Sequence, residues 1–179
     1  MKRQRGFTLT ELVIVMAIVA ILLAIAVPSY RYITNSYRMS SEVNGLLGDL
    51  MLARAEAIKE GQPVTVCAST NGTTCSGSTS WQRGWIVWSN PANAAQPAAG
   101  ILRVQLKFTG TTPDTFVANN GVSAVTYNRE GFATTAAGFP NTNITLHDKT
   151  SNAAWTRCLR INPQGTLSTD THITNPACI

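Results

Sequence analysis

The chain has 179 residues, 44% of them hydrophobic and only 13% charged. That length suits one globular domain with an appendage, and the apolar content excludes a mainly disordered chain. The net charge is +5, but Lys2, Arg3 and Arg5 sit in the first five residues, and the remainder carries +2, eleven basic residues against nine acidic, too little for strong bulk attraction to a polyanion.

The basic cap precedes an apolar run. Leu12 to Val27 is sixteen residues without a charge, and from Phe7 the run reaches 21 residues. As a helix that is roughly 31 Å, close to a bilayer hydrocarbon core. A basic cap before one apolar span predicts a cytoplasmic N-terminus with the rest of the chain across the membrane. A secretory signal peptide is one reading, with Ala24-Ile25-Ala26 as a small-residue cleavage site. A plain single-pass anchor is another. Glu11 argues against both, because a carboxylate costs roughly 2.5–3.5 kcal/mol at the bilayer centre and somewhat less near the edge.

The stretch Gly6-Phe7-Thr8-Leu9-Thr10-Glu11-Leu12 resembles the class III signal of type IV prepilins and type II secretion pseudopilins. The resemblance implies that residues 1–6 are a leader, cut between Gly6 and Phe7 by a prepilin peptidase that then methylates the Phe7 amine. It makes Glu11 the fifth mature residue, where the family carries Glu. It also puts Pro28 at mature position 22, where the family often has a helix-kinking proline. A protonated or methylated Phe7 amine and a neighbouring subunit's Glu11 would then neutralise each other inside a helical bundle, fixing the axial register, because a buried charge is tolerated only when paired.

Beyond Pro28 the apolar residues Tyr30, Ile33, Tyr37, Val43, Leu46, Leu47, Leu50, Ala53, Ala57 and Ile58 recur mostly in steps of three and four, the period of a helix. Arg31, Asn35, Arg38, Glu42, Asp49 and Glu56 are expected on the other side. Gly61 and Pro63 give a stop. One helix from Phe7 to Glu60 is predicted, bent near Pro28, in two parts: a membrane and assembly half over 7–28 and a periplasmic half over 29–61. Gly45 and Gly48 weaken it locally and suit close approach of another backbone.

Residues 62–179 differ in composition, rich in Thr, Asn, Gly, Ala and Pro. Strands are predicted at Val64–Ala68, Gly84–Trp88, Ile101–Phe108, Ser123–Tyr127, Ile144–His147 and Trp155–Ile161. In Ile101–Phe108, Leu102, Val104, Leu106 and Phe108 share one face, and Arg103, Gln105 and Lys107 the other. Ser89–Gly100, Gly110–Gly121 and Thr134–Asn143 read as loops, and Asn162-Pro163-Gln164-Gly165 as a turn. The fold class is therefore α+β, a long helix on an antiparallel sheet. Three segments resemble the FimT, FimU and GspH branch of the pilin-like family: Leu52-Ala53-Arg54-Ala55-Glu56-Ala57 onward to Cys67, then Trp81-Gln82-Arg83-Gly84-Trp85-Ile86-Val87-Trp88, and late in the chain Arg157-Cys158-Leu159-Arg160-Ile161-Asn162-Pro163-Gln164-Gly165.

Cys67, Cys75, Cys158 and Cys178 allow three pairings in an exported domain. Proximity favours Cys67 with Cys75 and Cys158 with Cys178, closures worth roughly 2.5 and 3 kcal/mol in chain entropy. A zinc site is the alternative, but there is no CxxC pair, and His147 and His172 are not at ligand spacing from any cysteine. No cofactor is implied. His147 and Asp148 would point to opposite faces of a strand, and no nucleophile elbow, P-loop or dinucleotide fingerprint occurs, so no enzyme is expected.

Some FimT-like minor pilins bind DNA through a Gly-Arg-x-Arg motif after the last strand. The matching place here reads Gly165-Thr166-Leu167-Ser168, without the arginines, and the role is not carried over. Arg103, Lys107, Arg157 and Arg160 are the residues a weak, salt-sensitive DNA patch would use. The resemblance implies a minor pilin that helps initiate or cap a type IV pilus, in contact with prepilin peptidase, other minor pilins and the major pilin, held first in the inner membrane. The alternatives are the H-type pseudopilin of type II secretion and a DNA-binding minor pilin of transformation.

Overall fold

The computed structural model describes residues 8–92, 94–97, 100–108, 114–135, 138, 142–172, 174 and 178. Gly6 and Phe7 lie outside them. The chain divides into two units, residues 1–38 and residues 39–179.

In the first unit the described residues form the start of helix α1 (Leu9–Glu60), which runs without interruption through Pro28. Pro28 has no N–H to give, so one helical hydrogen bond is missing there. The helix is long and apolar enough to cross a membrane. Its large apolar side chains from Leu12 to Val27 are 44–69% exposed, and Tyr30, Ile33 and Tyr37 stay exposed as well. Among the described residues of this unit nothing buries the apolar surface, whatever the helical period suggests.

In the second unit α1 buries Met39, Val43, Leu46, Asp49, Leu50, Ala53 and Ala57, a stripe at helical spacing. Leu47 is only partly buried and Ile58 is 52% exposed. Gly61, at a φ of +67°, follows the last helical residue and turns the chain out of the helix. Gly45 and Gly48 face open space, and no part of the described chain packs on them. Their expected role in a close backbone approach is therefore not met within the chain.

Among the described residues nine strands follow: β1 (Val64–Ala68), β2 (Gly84–Ser89), β3 (Ile101–Leu106), β4 (Thr115–Ala118), β5 (Ala124–Tyr127), β6 (Ala133–Thr135), β7 (Thr142–His147), β8 (Arg157–Ile161) and β9 (Leu167–Thr171). They build two antiparallel sheets rather than one, in the orders β3-β2-β1-β5-β6 and β4-β7-β8-β9. Both sheets contribute to one core with the buried stripe of α1. From β1 come Val64, Val66 and Ala68, from β2 Trp85 and Val87, from β4 Phe116, and from β7 and β8 Ile144, Leu146 and Leu159. The alternate residues Cys67, Ile86 and Trp88 form a small second cluster with Cys75 and Ala124. Both faces of the first sheet are thus covered near β1 and β2, which explains why β1 is buried along its whole length.

Three strands fall in segments expected to be loops or left unassigned: β4, β6 and β9. Strand β9 reads Leu-Ser-Thr-Asp-Thr and lies at a sheet edge, where no apolar alternation is needed. The strand expected from Ile101 to Phe108 ends at Leu106 and is exposed along nearly its whole length, its apolar face included. Leu102, Val104 and Leu106 are 42%, 44% and 63% exposed. Register is the cause, since Arg103 pairs with the core-facing Val87 and Val104 with the outward Ile86. Phe108 leaves the strand and packs edge-on to Trp85 at 5.9 Å and stacked on Phe116 at 6.1 Å.

Candidate functional site

The first candidate region is the start of α1. Thr8 precedes the first helical residue and Glu11 stands three positions on, the spacing of a capping box. The Thr8 backbone N–H donates to Glu11 Oε2 at 3.0 Å, and the Thr8 hydroxyl donates to the same oxygen at 3.0 Å. In return the Glu11 N–H donates to Thr8 Oγ1 at 3.3 Å. Two backbone donors at the helix end are thus satisfied reciprocally, the Thr8 N–H by Glu11, the one charged side chain between Arg5 and Arg31, and the Glu11 N–H by Thr8. The signal is present in the sequence as Thr-x-x-Glu ahead of an apolar run, and it gives Glu11 a local partner beside the intermolecular one the resemblance implies. The chemistry available here is recognition, a single carboxylate at a fixed place on an otherwise apolar rod.

The second region is a buried carboxylate in the core. Asp49, expected on the polar side, is only 4% exposed. Trp85 Nε1 donates to its Oδ2 at 2.8 Å, and Arg103 Nε pairs with its Oδ1 at 2.6 Å. The helical phase explains the burial, since 49 lies three after Leu46 and four before Ala53, both buried. This pair ties edge strand β3 to the helix, and the register of β3 aims Arg103 at it.

The four cysteines pair as Cys67–Cys75 and Cys158–Cys178. The first bond clips the loop after β1 onto the small second cluster. The second returns the end of the chain to β8. His172 Nδ1 donates to the Cys178 carbonyl at 2.9 Å, next to that bond. His147 Nδ1 lies 3.1 Å from Thr156 Oγ1. Among the described residues no three of His, Cys, Asp and Glu converge to hold an ion.

The four basic residues considered for DNA fall on two different sheets. Arg103 is on β3 with Lys107 just beyond it, and Arg157 and Arg160 are on β8. Arg103 is engaged by Asp49. Arg160 pairs with Asp170 at 3.3 Å. Arg157 donates to the Ala154 and Thr156 carbonyls, each at 3.0 Å.

A third feature, not read from the sequence, locks the two turns next to α1. Arg54 donates to the Gln164 carbonyl at 3.2 Å. Gly165, at a φ of +74°, lies so close to the Gly131 carbonyl that a side chain would strike it. Nearby Tyr127 is fully buried, its hydroxyl has no hydrogen-bond partner, and burial pushes the phenol well above its ordinary pKa.

Comparison with known proteins gives matches over both units. Residues 42–165 match the family described as Type II transport protein GspH, and residues 1–27 match the prokaryotic N-terminal methylation motif. The chain is 30% identical over 175 residues to a Type IV major fimbrial protein FimA of Dichelobacter nodosus, covering 95% of this chain and 89% of that one. It is 41% identical over 73 residues to a fimbrial protein of Pseudomonas aeruginosa, 41% of this chain, and spans about half, 47%, of that protein's length. The crystal structure of the type IV minor pilin FimU of Pseudomonas aeruginosa is similar with a TM-score of 0.54 and 19% identity, covering 75% of this chain and 91% of that one. At that identity the likeness speaks for the fold.

Proposed function

The chain belongs to the GspH family of type IV pilin-like proteins, and from that premise we infer that it is a minor type IV pilin. Prepilin peptidase removes residues 1–6 and methylates Phe7. Residues 7–28 then hold the subunit in the inner membrane, with the helix of 29–61 and the β-rich domain of 62–179 in the periplasm. From there the subunit joins other minor pilins and the major pilin, and helps initiate or cap the filament. It carries out no catalysis of its own.

The observation that carries this reading is Glu11. It is the one charge between Arg5 and Arg31, on the exposed apolar start of the helix, inside a segment that matches the methylation motif. A plain anchor has no use for a carboxylate there. A bundle of identical helices does, because a neighbouring subunit's N-terminal amine neutralises it. The test is intact-mass analysis of the protein recovered from sheared surface filaments. The reading requires a chain beginning at a methylated Phe7. A full-length chain, or a chain absent from filaments, contradicts it.

A second reading is the H-type pseudopilin of a type II secretion system, favoured by the family description over residues 42–165. A DNA receptor draws no such support. Arg103 and Arg160 are already paired with carboxylates, Arg157 is bound to two carbonyls, and Gly165-Thr166-Leu167-Ser168 has no arginine.

A further inference from the structure

The last turns of the first unit carry three consecutive exposed residues, Tyr30, Arg31 and Tyr32, with the two tyrosines 72% and 50% exposed. The geometry points to a collar for phospholipid headgroups at the periplasmic face of the membrane, selective for anionic lipid. The inference rests on the reading of residues 7–28 as the membrane span.

Axial position is the first argument. Phe7 to Val27 spans roughly the hydrocarbon thickness, so Val27 marks its far edge. Along a straight helix Tyr30, Arg31 and Tyr32 follow at about 4.5, 6 and 7.5 Å beyond it. The headgroup layer is roughly 5–7.5 Å deep on each side. Tyrosine suits this layer, with its ring toward the acyl chains and its hydroxyl in the polar zone.

Angular position separates lipid from a protein partner. Consecutive helical residues are about 100° apart, so the three side chains wrap more than half of the helix. A neighbouring helix would contact residues three or four apart on one face. A lipid annulus contacts all sides.

Charge selects the lipid class. No carboxylate occurs between Glu11 and Glu42, whereas Arg31 and Arg38 both fall there. The guanidinium of Arg31 is at the depth of the phosphates, where paired hydrogen bonds to phosphate oxygens are favoured. Leader removal takes away Lys2, Arg3 and Arg5. Arg31 is then the nearest cationic side chain to the span, so the collar governs how deep the mature subunit sits before assembly.

The test uses the mature chain beginning at Phe7, without Lys2, Arg3 and Arg5, in vesicles of phosphatidylcholine with and without phosphatidylglycerol. A nitroxide is attached at Ser29→Cys, the native cysteines remaining in their disulfides, and its depth is read by power saturation. The label is expected in the headgroup zone, deeper-lying or shallower by about 3 Å, two helical rises, once Tyr30→Ala, Arg31→Gln and Tyr32→Ala are combined. Arg31→Gln alone is expected to abolish the dependence on phosphatidylglycerol, and Arg31→Lys to keep it. Tyr37→Ala with Arg38→Gln is expected to leave the depth unchanged, since those residues lie about 15 Å beyond Val27. An unchanged depth in the triple variant, or indifference of the native chain to phosphatidylglycerol, overturns the collar. So does an equal shift from the Tyr37 and Arg38 changes. A label at Ala17→Cys reports the span separately. Oxygen access without water access there upholds the span, and a water-exposed Ala17 label removes the span reading together with the collar.

Discussion

Glu11 and Asp49 are both carboxylates on α1, and their surroundings give them opposite tasks. Glu11 is exposed on an apolar rod and, among the described residues, is held by Thr8. Replacing it with valine keeps the helix apolar, so Glu11→Val is expected to insert normally and fail to enter filaments. Membrane fractionation and filament shearing read the two steps separately, and normal incorporation would remove the pairing argument. Asp49 is a core tie. Asp49→Ala leaves the buried Trp85 N–H without its acceptor and frees Arg103 to solvent, for a loss of about 1–3 kcal/mol in chemical unfolding. Tyr127 gives a pH prediction with a definite sign. Its phenol titrates higher in the folded chain than its ordinary 10, so the folded state keeps a proton that the unfolded state releases. Stability is full below pH 10 and falls as the pH rises above it. Tyr127→Phe is expected to flatten that alkaline decline and to cost little at neutral pH, because the hydroxyl it removes has no partner. An unchanged decline would contradict the assignment.

At the scale of elements, α1 and the strands around the cysteines were legible for plain reasons. Helical period, Gly61 and Pro63 marked the helix end. Strands β1, β2, β5 and β8 are apolar enough to stand out between turn residues. The strands that escaped, β4, β6 and β9, have three to five residues, and β9 has a mostly polar side-chain set. A short edge strand is fixed by its neighbour's hydrogen bonds, which no local pattern announces. Strand β3 is legible as a strand but not in its orientation, for a related reason. Its alternation told which residues share a face, but only the register against β2 tells which face is inside. The candidate site was legible in part for the same reason: Glu11 stood out as a lone charge, whereas Asp49 was hidden by the assumption that a charge faces water. The disulfides belong to this scale as well. Opening Cys158–Cys178 by Cys158→Ala with Cys178→Ala is expected to cost about 3 kcal/mol and to free the chain end, read as new protease cleavage after β9. Unaltered stability and cleavage would show that β9 is held without the bond.

Across the whole molecule, the two units divide the labour. Residues 1–38 offer an apolar surface with one carboxylate, and residues 39–179 hold a core closed by two disulfides and two sheets. On the proposed reading, the first unit is the means of anchoring and joining a filament, and the second gives the subunit its own identity within it. A minor pilin and an H-type pseudopilin share almost all the sequence features of that division, so the distinction lies in what the cell loses without the protein. The most direct measurement is a clean, complemented deletion scored in parallel for surface pili and for secreted proteins. Loss of pili with normal secretion is the result predicted for a minor pilin. Normal pili with secreted proteins trapped in the periplasm would contradict that assignment and make the protein a type II secretion pseudopilin.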